Sequence, residues 1–173
     1  MEIWSDFFKI LIPGSLVLLG IYLTVDSLLK RQFEKSVLDM RSQNTKVVLP
    51  VRMQAYERMA MFLERISAHN LILRVNQPNM TSAELQALML QEIREEFNHN
   101  MSQQIYMSEV VWTLIRNASE EIISVINTSA QQVDPERPSI ELARRIFDHL
   151  INQQGDSIQK AMSELKREIG VFF

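Results

Sequence analysis

The sequence predicts an all-α protein: an N-terminal transmembrane helix followed by an antiparallel helical bundle of four to five helices. Three observations carry that expectation. One long apolar run lies near the start, Phe7 to Leu29. Leu, Ile, Met, Glu, Gln, Arg and Ala dominate the rest, and these residues are good helix formers. Only four glycines and five prolines occur, too few for a turn-rich β fold. Beyond the apolar run, apolar residues recur at spacings of three and four, separated by short polar breaks.

The apolar run reads FFKILIPGSLVLLGIYLTVDSLL. As a helix it would rise about 34 Å, against a hydrocarbon core of about 30 Å. Its two charged residues, Lys9 and Asp26, lie near its ends. Lys9 can snorkel to one interface, and Asp26 can pair with Lys30 four residues on. Trp4 and Tyr22 are amphipathic rings towards the two ends. Pro13-Gly14 is expected to kink the helix. A cleaved signal peptide would need a basic start and a shorter apolar stretch. Here the start is acidic, with Glu2 and Asp6, and Lys30-Arg31-Gln32-Phe33 follows the run. Lys30, Arg31, Lys35, Arg41 and Lys46 lie after the span, against Lys9 alone before it. The positive-inside rule therefore puts the N-terminus outside and the C-terminal domain in the cytoplasm. The expected division is an anchor at 1–29, a juxtamembrane helix or linker at 30–48, and a cytoplasmic bundle at 49–173.

The first helix is expected to continue to about Gln43, with an apolar stripe of Leu29, Phe33, Val37 and Met40. Pro50 suits the first turn of a second helix, whose stripe is Tyr56, Met59, Phe62, Leu63 and Ile66. His69 to Met80 reads as a loop that tucks Leu71, Ile72 and Leu73 beneath itself and ends in turn chemistry at Asn76-Gln77-Pro78-Asn79. Thr81-Ser82-Ala83-Glu84 matches a capping box. The helix it opens should run to about Ile105 with Met89, Leu90, Ile93, Phe97 and Met101 inward. Ser108 is placed to cap a helix carrying Val111, Trp112, Ile115, Ile122, Val125 and Ile126. Asp134-Pro135-Glu136-Arg137-Pro138 punctuates the chain. A further helix covers about Ser139 to Gln153, and Asp156 is placed to cap a last one that ends in Gly-Val-Phe-Phe.

The absence of cysteine excludes disulfides and thiolate metal sites. The net charge is −3, and the part after Leu29 is nearly neutral, which gives no sign of a nucleic-acid partner. Glu96-Phe97-Asn98-His99 resembles half of a carboxylate-bridged di-iron motif. The second half is missing, because Ile66 precedes His69 and Ile146 precedes His149 by three residues. At 100° per residue, Glu92, Glu95 and His99 turn away from the Ile93/Phe97 stripe, with Glu96 at its edge. Glu92, Glu96 and His99 are therefore candidates for a metal or acid/base site, with a solvated face as the simpler reading. No nucleophile motif, phosphate loop, cofactor or small-molecule substrate is identifiable. Met53, Met59, Met61, Met80, Met89, Met101 and Met107 read as core filling or as an adaptable surface. The apolar end Ile169, Val171, Phe172 and Phe173 needs cover from the bundle, the bilayer or a partner.

Leu49-Pro50-Val51-Arg52-Met53-Gln54-Ala55-Tyr56-Glu57-Arg58 is followed by Phe62-Leu63-Glu64-Arg65-Ile66. Later come Ile93-Arg94-Glu95-Glu96-Phe97-Asn98-His99-Asn100, Gln103-Gln104-Ile105-Tyr106 and Trp112. Together these stretches resemble an uncharacterised family of small bacterial membrane proteins with one N-terminal span. The resemblance implies an inner-membrane setting and carries over no functional residue. Within the most specific stretch, Arg52, Tyr56 and Arg58 are candidate partner contacts, as are Phe172 and Phe173 at the chain end. The functional expectation is a non-catalytic interaction module or accessory subunit whose partners are the bilayer and a membrane protein or a second copy. The alternatives are an enzyme built on Glu92, Glu96 and His99, and a homo-oligomeric scaffold built on the span and the Phe33/Val37/Met40 stripe.

Overall fold

Scarce glycine and proline let helices run long, and one helix takes more than a third of the chain. The computed structural model describes residues 2–152 and 155–172, apart from the side chains of 2–15, 17, 34, 37–47 and 172. Among the described residues there are six α-helices and no strand: α1 Glu2–Ile66, α2 Ala68–Val75, α3 Ser82–Asn100, α4 Glu109–Ala130, α5 Ser139–Asn152 and α6 Ser157–Ile169. Two 3-10 helices, Met101–Tyr106 and Gly170–Phe172, follow α3 and α6. The chain falls into two compact units, Met1–Leu49 and Pro50–Phe173.

In the first unit, α1 is helical through Pro13 and Gly14. Of the expected flanking residues, the side chains of Trp4 and Lys9 lie outside the described residues. Lys30 donates to Asp26 at 2.7 Å, so the pair expected at that end forms. Every large apolar side chain described from Leu16 to Phe33 is exposed, on all sides of the helix. Among the described residues no helix is long and apolar enough to cross a membrane. In this run the described side chains begin only at Leu16.

The expected break between about Gln43 and Pro50 is absent, since α1 is helical across it. Proline at position 50 removes one backbone hydrogen bond, which interrupts a helix only where nothing else holds it. Here the stripe Tyr56, Met59, Phe62, Leu63 and Ile66 is buried in the second unit, each residue 2% exposed or less, and holds the following turns.

The second unit is a helical bundle with six α-helical segments among the described residues, counting the end of α1 and the short α2, where four to five were expected. The segment at 68–75 is a helix rather than a loop, because Leu71, Ile72 and Val75 fall on one face and are buried. Leu73, expected to tuck under, is 70% exposed on the other face. The capping box of α3 forms as expected: Thr81 accepts from the Glu84 amide and Glu84 accepts from the Thr81 amide. The next amides of α3 are satisfied from the Asp134–Pro138 turn, Ser82 donating to the Arg137 carbonyl at 2.7 Å and Ala83 to the Pro135 carbonyl at 3.1 Å. That turn therefore ties the start of α5 to the start of α3.

Two contacts fix the sense of each main packing. Gln86 donates to Asn127 at 2.9 Å while Phe97 stacks on Trp112 at 5.6 Å, so α3 and α4 are antiparallel. Ser108 meets Glu168 while Ile122 and Ile158 line one cleft, so α4 and α6 are antiparallel too. The core runs through Phe62, Leu85, Met89, Ile93, Ile115, Ile126, Leu142, Ile146, Ala161 and Leu165, and all six helices contribute. α3 stops at Asn100, before the expected Ile105, and Met101 is exposed rather than inward. Ile169 packs against the core and Val171 is exposed. The side chain of Phe172 and the whole of Phe173 lie outside the described residues.

Candidate functional site

The best-connected polar cluster sits where the second unit begins. Tyr56 belongs to the buried stripe of α1, so its ring is packed and its hydroxyl needs a partner. It donates to Glu168 on the last turn of α6. The Glu168 carboxylate also accepts from the Ser108 amide at 2.9 Å and from the Ser108 hydroxyl. Ser108 is the N-cap of α4, accepting in turn from the Val111 amide. Arg52, one turn before Tyr56, donates to the Tyr56 hydroxyl at 3.2 Å and to the Tyr106 carbonyl at 3.1 Å. This clasp joins α1, the 3-10 helix before α4, the α4 cap and α6.

Its electrostatics follow from burial and hydrogen bonding. Burial raises the Tyr56 hydroxyl above its ordinary value, the bond to Glu168 adds to the rise, and Arg52 opposes it. Burial also pushes the Glu168 carboxyl up. The Ser108 hydroxyl, the Tyr56 hydroxyl, the Ser108 amide and the Arg52 charge together outweigh it and hold that carboxyl below the ordinary glutamate value. The clasp is thus a neutral tyrosine on an ionised glutamate, and its hydrogen bonds hold helices together.

On α3, Glu92 and Glu96 point to one side and each meets an arginine from another element. Arg74 of α2 pairs with Glu92, and Arg65 of α1 pairs with Glu96. His99 is exposed. Among the described residues no group of three His, Asp or Glu side chains is close enough to hold a metal ion. The geometry uses the two carboxylates to dock α1 and α2 on α3.

The opposite edge of α3 borders a groove shared with α4, about 360 Å³ in volume. Ile93, Phe97 and Ile123 give it an apolar floor, with buried Ser119 between them. Phe97 rests on Phe62 at 6.0 Å as well as on Trp112, so the floor is rigid. Arg94 and Asn98 form the α3 rim, Arg116 and Glu120 the α4 rim. Arg116 stands 3.9 Å from Glu120, and both are well exposed. Among the described residues Arg94 has no ion-pair partner.

Of the expected partner contacts, Arg52 and Tyr56 are brought together inside the clasp, and Arg58 is exposed on α1. Lys30, Arg31 and Lys35 are exposed on the first unit. Met59, Met89 and Met107 are buried, whereas Met61 and Met101 are exposed. Sequence reasoning missed Glu168 and Ser108 as partners of Tyr56, because they lie far along the chain. It also missed Arg94 and Arg116 as the rims of one groove. No curated protein and no solved structure matches the chain. Residues 2–172 match the model of a family of unknown function, DUF7935, and the chain belongs to that family.

Proposed function

We propose that the protein is a membrane-anchored interaction module: the N-terminal part of α1 sits in a bilayer and the bundle of the second unit, on the cytoplasmic side, meets a partner. The carrying observation is the exposure of Leu16, Leu18, Leu19, Ile21, Leu23, Val25, Leu28, Leu29 and Phe33 all round one helix. Each such side chain left in water forgoes roughly 1.5–3 kcal/mol of transfer free energy. A single-faced stripe would call for a partner helix; an all-round one calls for lipid. The Asp26–Lys30 pair, with Arg31 and Lys35 exposed beyond it, supplies a basic cuff suited to the cytoplasmic interface. The module reading draws on the clasp and the carboxylate pairs, whose polar atoms are spent on holding helices rather than converging on a cavity.

Alkaline carbonate extraction of cell membranes tests the anchor. The full chain should stay in the pellet, and a chain lacking residues 1–29 should move to the supernatant. Release of the full chain by carbonate would overturn the reading. A reporter fused after Phe173 should be active only in its cytoplasmic form.

A further inference from the structure

We infer that the groove between α3 and α4 receives an acidic amphipathic helix from a partner protein. The inference rests on the interaction-module reading and names its partner; it does not require the membrane anchor. Ile93, Phe97 and Ile123 floor the groove, and polar rims rise on both sides. An apolar trough of that length between two polar rims is what a helix with apolar residues at i, i+3 and i+4 fits. The floor spans residues 93–97 on one wall and 119–123 on the other, about 6 Å of helix on each wall. Its volume, about 360 Å³, takes side chains and leaves the incoming backbone across the mouth.

Charge decides the sign of the partner. Of the neighbouring acids of α3, Glu92 is engaged by Arg74 and Glu96 by Arg65, while exposed Glu95 accepts from Gln91. Arg94 stands on the rim with no ion-pair partner among the described residues. Arg116 has only the 3.9 Å contact to Glu120, and exposed pairs of that kind contribute at most about 1 kcal/mol. Exchanging it for an incoming carboxylate costs little. A lysine-rich helix would meet two guanidinium groups, whereas a helix with Asp or Glu beside its apolar stripe would pair with both. The exposed apolar side chains described in the second unit, such as Met61, Leu73, Ile105, Val110, Ile140 and Ile151, are scattered over different elements and form no stripe at helical spacing, so a partner protein rather than a second copy supplies the helix.

The floor carries its own reporter. Trp112 stacks on Phe97, and after Trp4→Phe it is the sole tryptophan. The full chain with that change, in lipid nanodiscs, is titrated with a synthetic helix of about four turns. The helix carries leucines on one stripe and glutamates on its flanks, and a second peptide has lysine for every glutamate. The glutamate peptide should shift Trp112 emission and bind at least about tenfold more tightly than the lysine peptide, with affinity falling as salt rises. Arg94→Glu together with Arg116→Glu, both exposed changes, should reverse that preference while leaving the circular dichroism spectrum unchanged. Equal binding of the two peptides, binding of neither, or an unreversed preference in the double variant would each overturn the inference. Displacement of the glutamate peptide by phosphatidylglycerol vesicles would assign the groove to lipid and overturn it as well. Failure of the anchor would appear in carbonate extraction and leave the peptide preference unaffected.

Discussion

Glu168 is the residue on which the clasp converges. Its carboxylate accepts from Tyr56 and twice from Ser108. Glu168→Gln removes the charge and leaves one acceptor oxygen, so it should lower stability at neutral pH by about 1–2 kcal/mol. The pH dependence has a definite sign. The folded carboxyl titrates below its ordinary value of 4.5, so its stabilisation is complete above that value and is lost as pH falls from there through the lower folded value. Urea midpoints measured from pH 6 downward (roughly two units) should show an acid-side loss in the native chain that Glu168→Gln largely lacks. Tyr56→Phe keeps the packed ring and removes the hydroxyl. Combined with Glu168→Gln, it should give less than the sum of the two single effects, by about 0.5–1 kcal/mol. Two additive effects would dissolve the clasp as a unit. Burial of Tyr56 was legible from its place in the stripe with Met59, Phe62 and Leu63. Its bond to Glu168 was not, because α6 reaches Tyr56 only through the packing of the whole bundle.

At the scale of elements, local chemistry was legible and long-range continuity was not. Thr81, Ser108 and Asp156 open α3, α4 and α6 as their sequences predict, because a cap needs only a side chain and an amide two or three residues on. Thr81→Ala should therefore cost about 1 kcal/mol, read by thermal or urea unfolding, with the fold retained. Pro50 is the converse case. Proline fits the first turn of a helix and also survives in a helix interior held by its neighbours, and the residues around it do not separate these two outcomes. In the structure α1 passes through it. Pro50→Ala then restores a missing hydrogen bond and should protect the amides of positions 50 to 53 from hydrogen exchange. In a helix that started at Pro50, those amides would lack upstream carbonyls and stay unprotected. α2 was illegible for a related reason: eight residues give only one repeat of the pattern, and its face is defined by burial of Leu71, Ile72 and Val75 rather than by spacing.

At the scale of the molecule, the two units differ in what completes them. The core of the second begins at Tyr56 and closes on α6, and among the described residues it includes none before Pro50. The first unit has a helix whose described large apolar side chains from Leu16 to Phe33 are all exposed. A chain of residues 50–173 should therefore fold alone, as a monomer with one cooperative transition. Its urea midpoint should match that of the second unit in the full chain, with Trp112 buried in both. A fragment with native helicity but no cooperative transition would mean that the core needs the first unit, and the division at Leu49–Pro50 would lose its physical meaning. Composition and apolar spacing made that asymmetry legible: the run from Phe7 to Leu29 is apolar on every side, while the later stripes are one-sided. The groove between α3 and α4 was not legible, because its rims come from residues 94 and 116, and only the antiparallel packing of the two helices sets them face to face. Cooperative folding of 50–173 would place the groove's rims, floor and reporter in one independent body and make that fragment the minimal receptor for the acidic helix.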